Sequence, residues 1–178
     1  MSRKKIIALT SLGVAVATWL KLRKTIPNNA VPVKPFHLSL YLGKWYEIAR
    51  LDYYFENNLI KTTAEYSLHT DGSVQVLNRG YNYKTGQWKE AVGKAKFAGD
   101  TNEGRLKVSF FGPLYAGYNV IAIDPGYQYA LVAGRNLNYL WLLSRDKTIP
   151  AAVKKDYLQM ARRLGYDTTK LIWVEQNG

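Results

Sequence analysis

The stretch YLGKWYEIAR, residues 41–50, places a glycine two positions ahead of a tryptophan at the head of a strand-like run. Glycine reaches backbone conformations closed to other residues, and tryptophan brings one of the largest apolar surfaces a chain can bury. A chain that turns on Gly43 and then buries Trp45 is crossing the end of something and sealing it. Side chains alternate along a strand, so Glu47 and Ala49 share the side of Trp45, while Tyr46 and Ile48 face the other way.

What is being sealed follows from the residues downstream. Short strand-like runs recur over 44–51, 61–68, 73–81, 87–97, 105–111, 117–124, 127–134 and 138–145. Compact turns separate them: HTDG (69–72), NYKTG (82–86), GDTNEG (99–104), FGPLYAG (111–117), DPG (124–126) and GRNLN (134–138), each with the Gly, Pro, Asn or Asp a reversal requires. Only DYYFENNLI (52–60) is long, and it is aromatic rather than polar. Eight strands in succession fit a barrel or a sandwich. Tight hairpins throughout favour an all-β, eight-stranded up-and-down antiparallel barrel, whose interior can hold one small ligand. After Pro150, Val153, Tyr157, Met160, Ala161 and Leu164 recur at helical spacing and Gly165 supplies a stop. That is an amphipathic helix for the outside of the barrel. LIWV (171–174) reads as a last short strand.

Composition agrees. The chain has 178 residues, 47% of them hydrophobic, with 14 tyrosines, five tryptophans and no cysteine. The absence of cysteine excludes disulfides, a thiol nucleophile, thiolate metal ligands and an acylated cysteine. The net charge of +12 is unevenly spread: Arg3, Lys4, Lys5, Lys21, Arg23, Lys24 and Lys34 precede Glu47, the first acid. These charges flank the apolar run IIALTSLGVAVATWL (6–20), a placement that points to a membrane and away from nucleic acid. Residues 1–24 therefore read as a hydrophobic helix, either a signal peptide cleaved near Ala15-Val16-Ala17 or an uncleaved anchor. Residues 25–38, with three prolines by Phe36, read as an extended linker, and 39–178 as the barrel domain with its helix.

Parity extends around the barrel. Ala64 and Tyr66; Val74, Val76 and Asn78; Leu106, Val108 and Phe110; Tyr118, Val120 and Ala122; and Tyr139, Trp141, Leu143 and Arg145 form the inward sets. YNVIAI (118–123) and YLWLL (139–143) have no polar face, as expected of strands between a greasy interior and a covering helix. An inward Glu47 needs a partner, and Arg145 or a tyrosine would serve. His37 and His69 sit at the linker end and at a turn, and no serine elbow or metal-spaced cluster occurs, so no catalytic residue, metal or cofactor is expected.

These residues resemble the lipocalin family. GKWYEIAR carries the Gly-x-Trp signature of the first strand. The second motif corresponds to IDPGYQYALV, which keeps Asp124 but changes its neighbours, and the third is Arg145 in LLSRDKTIP. The likeness runs from about Leu40 to Val174 and is greatest to bacterial outer-membrane lipocalins and their apolipoprotein D-like relatives, through NRGYN, LKVSFFGPLYAGYNVIAID, YLWLLSR and LIWV. It implies storage or carriage of a fatty acid, lysophospholipid or similar amphiphile in the bacterial envelope. The alternatives are a pigment or tetrapyrrole as cargo, or a filled barrel acting through its surface. Those bacterial proteins carry an acylated cysteine that this chain lacks, so an uncleaved N-terminal helix would replace the lipid anchor. The expected lining is Val76, Asn78, Val108, Phe110, Tyr118, Val120, Tyr139 and Trp141, with Asn78 and Tyr118 available to a head group. Gly43, Trp45 and Arg145 are expected to close the opposite end, with the guanidinium on the indole face and its donors on carbonyls of the crossing segment.

Overall fold

The structure, a computed structural model, describes residues 25–51 and 57–177. A short helix α1 (Leu38–Tyr41) leads into strands β1 (Gly43–Leu51), β2 (Leu59–Leu68), β3 (Val74–Asn82), β4 (Gln87–Phe97), β5 (Arg105–Phe111), β6 (Leu114–Ile123), β7 (Tyr129–Ala133) and β8 (Leu140–Ser144). Helix α2 (Ala151–Arg163) and strand β9 (Leu171–Trp173) follow. Consecutive strands pair antiparallel from β1 to β8, and β8 returns to β1, so the sheet closes as an eight-stranded up-and-down barrel. The N-terminal helix expected over 1–24 lies outside the described residues. Among the described residues, no helix is long and apolar enough to cross a membrane.

The barrel has one closed end and one open end. Gly43, with φ +88°, starts β1 at the closed end. The turns 69–73, 98–104, 124–128 and 145–149 share that end, and 83–86, 112–113 and 134–139 lie at the mouth. Asp124 organises one of the closed-end turns, its carboxylate accepting from the backbone N–H of Gly126, Gln128 and Tyr129 at 3.0, 2.7 and 2.6 Å. Such side-chain caps satisfy donors that a tight reversal leaves unpaired.

Strand register shifts at four bulges, in β1, β2, β5 and β6, and those in β1 and β6 move residues that alternation places inside. One extra residue between Glu47 and Ala49 in β1, and another between Val120 and Ala122 in β6, shift everything beyond them to the other face. Ala49 and Ala122, expected inside with Trp45 and Tyr118, instead pack outside with Ile48, Leu131, Leu142 and the helix residues Tyr157 and Ala161. Helix α2 covers this outer patch with the predicted stripe, Val153, Tyr157, Met160, Ala161 and Leu164. Tyr157 also donates to the Tyr129 carbonyl at 3.1 Å. Gly165, with φ +95°, ends the helix in the left-handed conformation that suits glycine.

The barrel seam contains a wedge absent from the strand pattern. β1 and β2 pair directly only over 43–46 and 63–66. Above that the C-terminal tail fills the gap: β9 pairs with 49–51, Val174 donates to Ile48, and Lys61 donates to the Glu175 carbonyl. Gln176 Nε2 spans both strands, donating to the Glu47 and Thr62 carbonyls at 2.7 and 2.9 Å. The linker 25–36 is likewise tied down. Val33 exchanges backbone hydrogen bonds with Gly104 and Val120, and Asn119 Nδ2 donates to the Thr25 carbonyl at 2.8 Å.

Candidate functional site

The floor of the interior is built from the motif around Gly43. Trp45 is fully buried and its Nε1 donates to the Tyr41 carbonyl at 2.8 Å. The guanidinium of Arg145 lies over the indole, 3.9 Å from the ring centroid. Its donors reach the carbonyls of Lys44 and Leu40 at 2.8 Å, Leu42 at 2.9 Å and Tyr127 at 3.3 Å. A Cβ at position 43 would sit 3.5 Å from the same guanidinium. Partial burial lowers the pKa of Arg145, but an arginine stays charged at any physiological pH. Phe36 and Tyr41 complete the plug, with ring centroids 5.3 Å apart.

Directly above lies a tyrosine triad. The Tyr118 hydroxyl is 2.6 Å from that of Tyr41 and 2.7 Å from that of Tyr66. Burial raises the pKa of Tyr41 and Tyr118 well above the usual phenol value, so both are neutral in use. The triad marks a change in packing. Val74, Val120, Ala130 and Val132 form the filled lower interior. Higher up, Ala64, Asn78, Val108, Phe110, Tyr118 and Trp141 face inward yet are only half-buried. An inward side chain that still meets solvent lines a space rather than a packed core.

The eight expected lining residues therefore fall into groups. Val76 joins the lower core at 3% exposure, and Val120 at 0%. Val108, Phe110, Tyr118 and Trp141 form the half-buried wall. Asn78 sits among them with a buried Oδ1 that accepts no hydrogen bond. Tyr139 precedes β8 rather than lying in it, and stacks on Trp141 at 6.3 Å and 18°. The Tyr118 hydroxyl is already engaged by two phenols, which leaves it less available to a head group than expected.

Arg50 was not legible as an interior residue. Alternation from Trp45 places it outside, but the β1 bulge turns it in, where it is 1% exposed. It, rather than Arg145, pairs with Glu47, at 2.6 Å. Thr62 Oγ1 adds a hydrogen bond to the same carboxylate at 3.1 Å, and Arg50 donates to the Leu59 carbonyl at 3.1 Å. Burial pushes the Glu47 carboxyl upward while Arg50 and Thr62 pull against it, leaving the net direction up. The only available signal was the i,i+3 spacing of opposite charges, which means little without the bulge.

The mouth is open on one side. β4 pairs with β5 only over Lys94–Phe97, so residues 87–92 stand above β5 and are exposed. Among the described residues, no group of three His, Cys, Asp or Glu is placed to hold a metal.

Comparison with known proteins agrees with this geometry. A Lipocalin-like domain model matches residues 36–176. The chain belongs to the lipocalin family. It is 51% identical over 154 residues to outer membrane lipoprotein Blc of Escherichia coli K12, covering 86% of this chain and 87% of that protein. The Vibrio cholerae protein of the same name is 49% identical over 152 residues, covering 85% and 89%. Among solved structures, insecticyanin from Manduca sexta superposes with a TM-score of 0.68 at 25% identity, over 84% of this chain and 85% of that one. The motif that opens the barrel is thus a lipocalin signature, and the family is one of binding proteins rather than enzymes.

Proposed function

We propose that this lipocalin stores or carries a single-chain amphiphile, a fatty acid or lysophospholipid, in the bacterial envelope. One observation carries the reading: an inward wall of Val108, Phe110 and Trp141 stays half-buried above a sealed floor. An acyl chain laid against that wall gains about 0.8 kcal/mol per methylene removed from water. Ten to twelve methylenes supply on the order of 8–10 kcal/mol gross, which the cost of association reduces to roughly micromolar affinity. Asn78 Oδ1, buried and unpaired, is available to a hydroxyl or ammonium donor of the cargo. The outer-membrane lipoproteins that the chain resembles favour the envelope as its location.

The test is extraction of protein purified from bacterial membranes into organic solvent, followed by mass spectrometry. Fatty acid or lysophospholipid close to one per chain is expected. A lipid-free extract from protein that also binds no added oleate would sink the reading. A co-purifying chromophore would replace the cargo with a pigment.

A further inference from the structure

The closed-end turns carry Asp71, Asp100, Glu103, Asp124 and Asp146 together with Arg145 and Lys147, and Lys94 and Lys34 pair with Asp71 and Asp100. The described mouth turns carry Lys84 and Arg135 and no acid. Each of those mouth turns also exposes a large apolar side chain: Tyr83 at 55%, Phe111 at 69% with Leu114 at 77%, and Leu137 at 40%. Phe111 and Leu114 are cross-strand partners at the tip of the β5–β6 hairpin, so they form one continuous knob. Gly112 at the tip has φ +57° and open space around it.

The linker leads to the same place. From Phe36 at the closed end it rises along the outside of β6, bonding at Val33 and again at Thr25. Arg105 donates to Thr25 Oγ1 at 3.2 Å, and a Cβ on Gly117 would collide with the Thr25 carbonyl. Gly117 is three residues from Leu114, about 10 Å along a strand. Lys21–Lys24 separate Thr25 from the apolar run 6–20, and that tether spans at most about 17 Å. The apolar run and the apolar hairpin tip can therefore reach one surface together.

We infer that the mouth of the barrel rests on a lipid bilayer, with Phe111 and Leu114 inserted on the side where the N-terminal apolar run attaches and the closed end pointing away. An anionic bilayer attracts Lys84 and Arg135 on the rim, which adds to the apolar contact of the hairpin tip. The inference rests on the amphiphile-binding reading, and it specifies where cargo enters: from the membrane, through the exposed gap above β5, without crossing water.

The chain has no cysteine, so single-cysteine labelling is clean. The full-length chain carrying Phe111→Cys, Leu114→Cys or His69→Cys, each labelled with the fluorophore NBD, is reconstituted into phosphatidylethanolamine–phosphatidylglycerol vesicles. Doxyl-labelled lipid should quench NBD at 111 and 114 several-fold more than at 69. Equal quenching, stronger quenching at 69, or failure to float with the vesicles would overturn the orientation. The double variant Phe111→Ser/Leu114→Ser should slow transfer of a fluorescent fatty acid from vesicles to protein by about ten-fold or more, since each inserted side chain contributes on that order. Its affinity for oleate in solution should be unchanged. Intact affinity with symmetric quenching rejects the docking and leaves the cargo reading standing. Loss of oleate binding by the unmodified chain rejects the cargo reading itself.

Discussion

The closed end and the mouth of this barrel use similar residues to opposite effect. At the closed end, Phe36, Tyr41 and Trp45 are almost fully buried and held by a single cation with hydrogen bonds to four carbonyls. Nearer the mouth, Phe110, Tyr118 and Trp141 face the same interior but stay half-buried. The difference lies in what sits behind them. The floor has the crossing segment and Arg145 across it, whereas β4 simply outruns β5 at the top. An aromatic facing this interior is thus sealed or left half-buried according to its height.

Substitutions at the two heights should separate stability from binding. The largest effect is expected for Trp45→Ala, which removes the buried plug and should cost about 3–5 kcal/mol of unfolding free energy, read from urea midpoints. A loss below about 1 kcal/mol would erase the distinction between the ends. Arg145→Ala should cost about 2 kcal/mol, because the guanidinium's ring contact and its bonds to carbonyls go together. Oleate affinity measured on the folded fraction should change little. Trp141→Ala reverses the pattern: affinity should fall about ten-fold while stability falls less than in either floor variant, since the side chain is only partly buried.

The smallest effect is expected from acid. Lys94 and Ser73 hold the Asp71 carboxyl well below the usual carboxylate range, and Lys34 lowers that of Asp100. The folded chain binds these protons less tightly than the unfolded chain. The contribution is therefore complete above the unfolded value of about 4 and disappears as pH falls through the lower folded values. Both pairs are exposed, so salt should weaken the effect. A closed end whose stability rose on acidification would contradict these assignments.

Much of the fold was legible because turns announce themselves. HTDG, DPG and NYKTG fixed the hairpins, and Gly43, Trp45 and Arg145 pointed to one end of the barrel. The bulges in β1 and β6 were not legible, because an extra residue leaves the composition and the local pattern unchanged while reversing every later side chain. Ala49 and Ala122 were misplaced for that reason, and the inward turn of Arg50 follows from the same bulge as that of Ala49. The Gln176 wedge was hidden for another: its hydrogen bonds join residues more than a hundred positions apart, and no local spacing encodes them. Of the expected wall, Val108, Phe110 and Trp141 stand where alternation put them. Height, which separates Val120 from Phe110, depends on strand stagger and could not be counted along the chain.

The most direct measurement of the cargo claim is oleate titration followed by tryptophan fluorescence, with Trp141→Phe and Trp88→Phe beside the unsubstituted chain. Trp88 is 59% exposed on the outer wall, whereas Trp141 faces the interior. The account predicts a saturable change at one oleate per chain, with a midpoint near micromolar, that persists in Trp88→Phe and is largely lost in Trp141→Phe. A non-saturable response, or one that survives in Trp141→Phe and vanishes in Trp88→Phe, would place the ligand outside the barrel and contradict it.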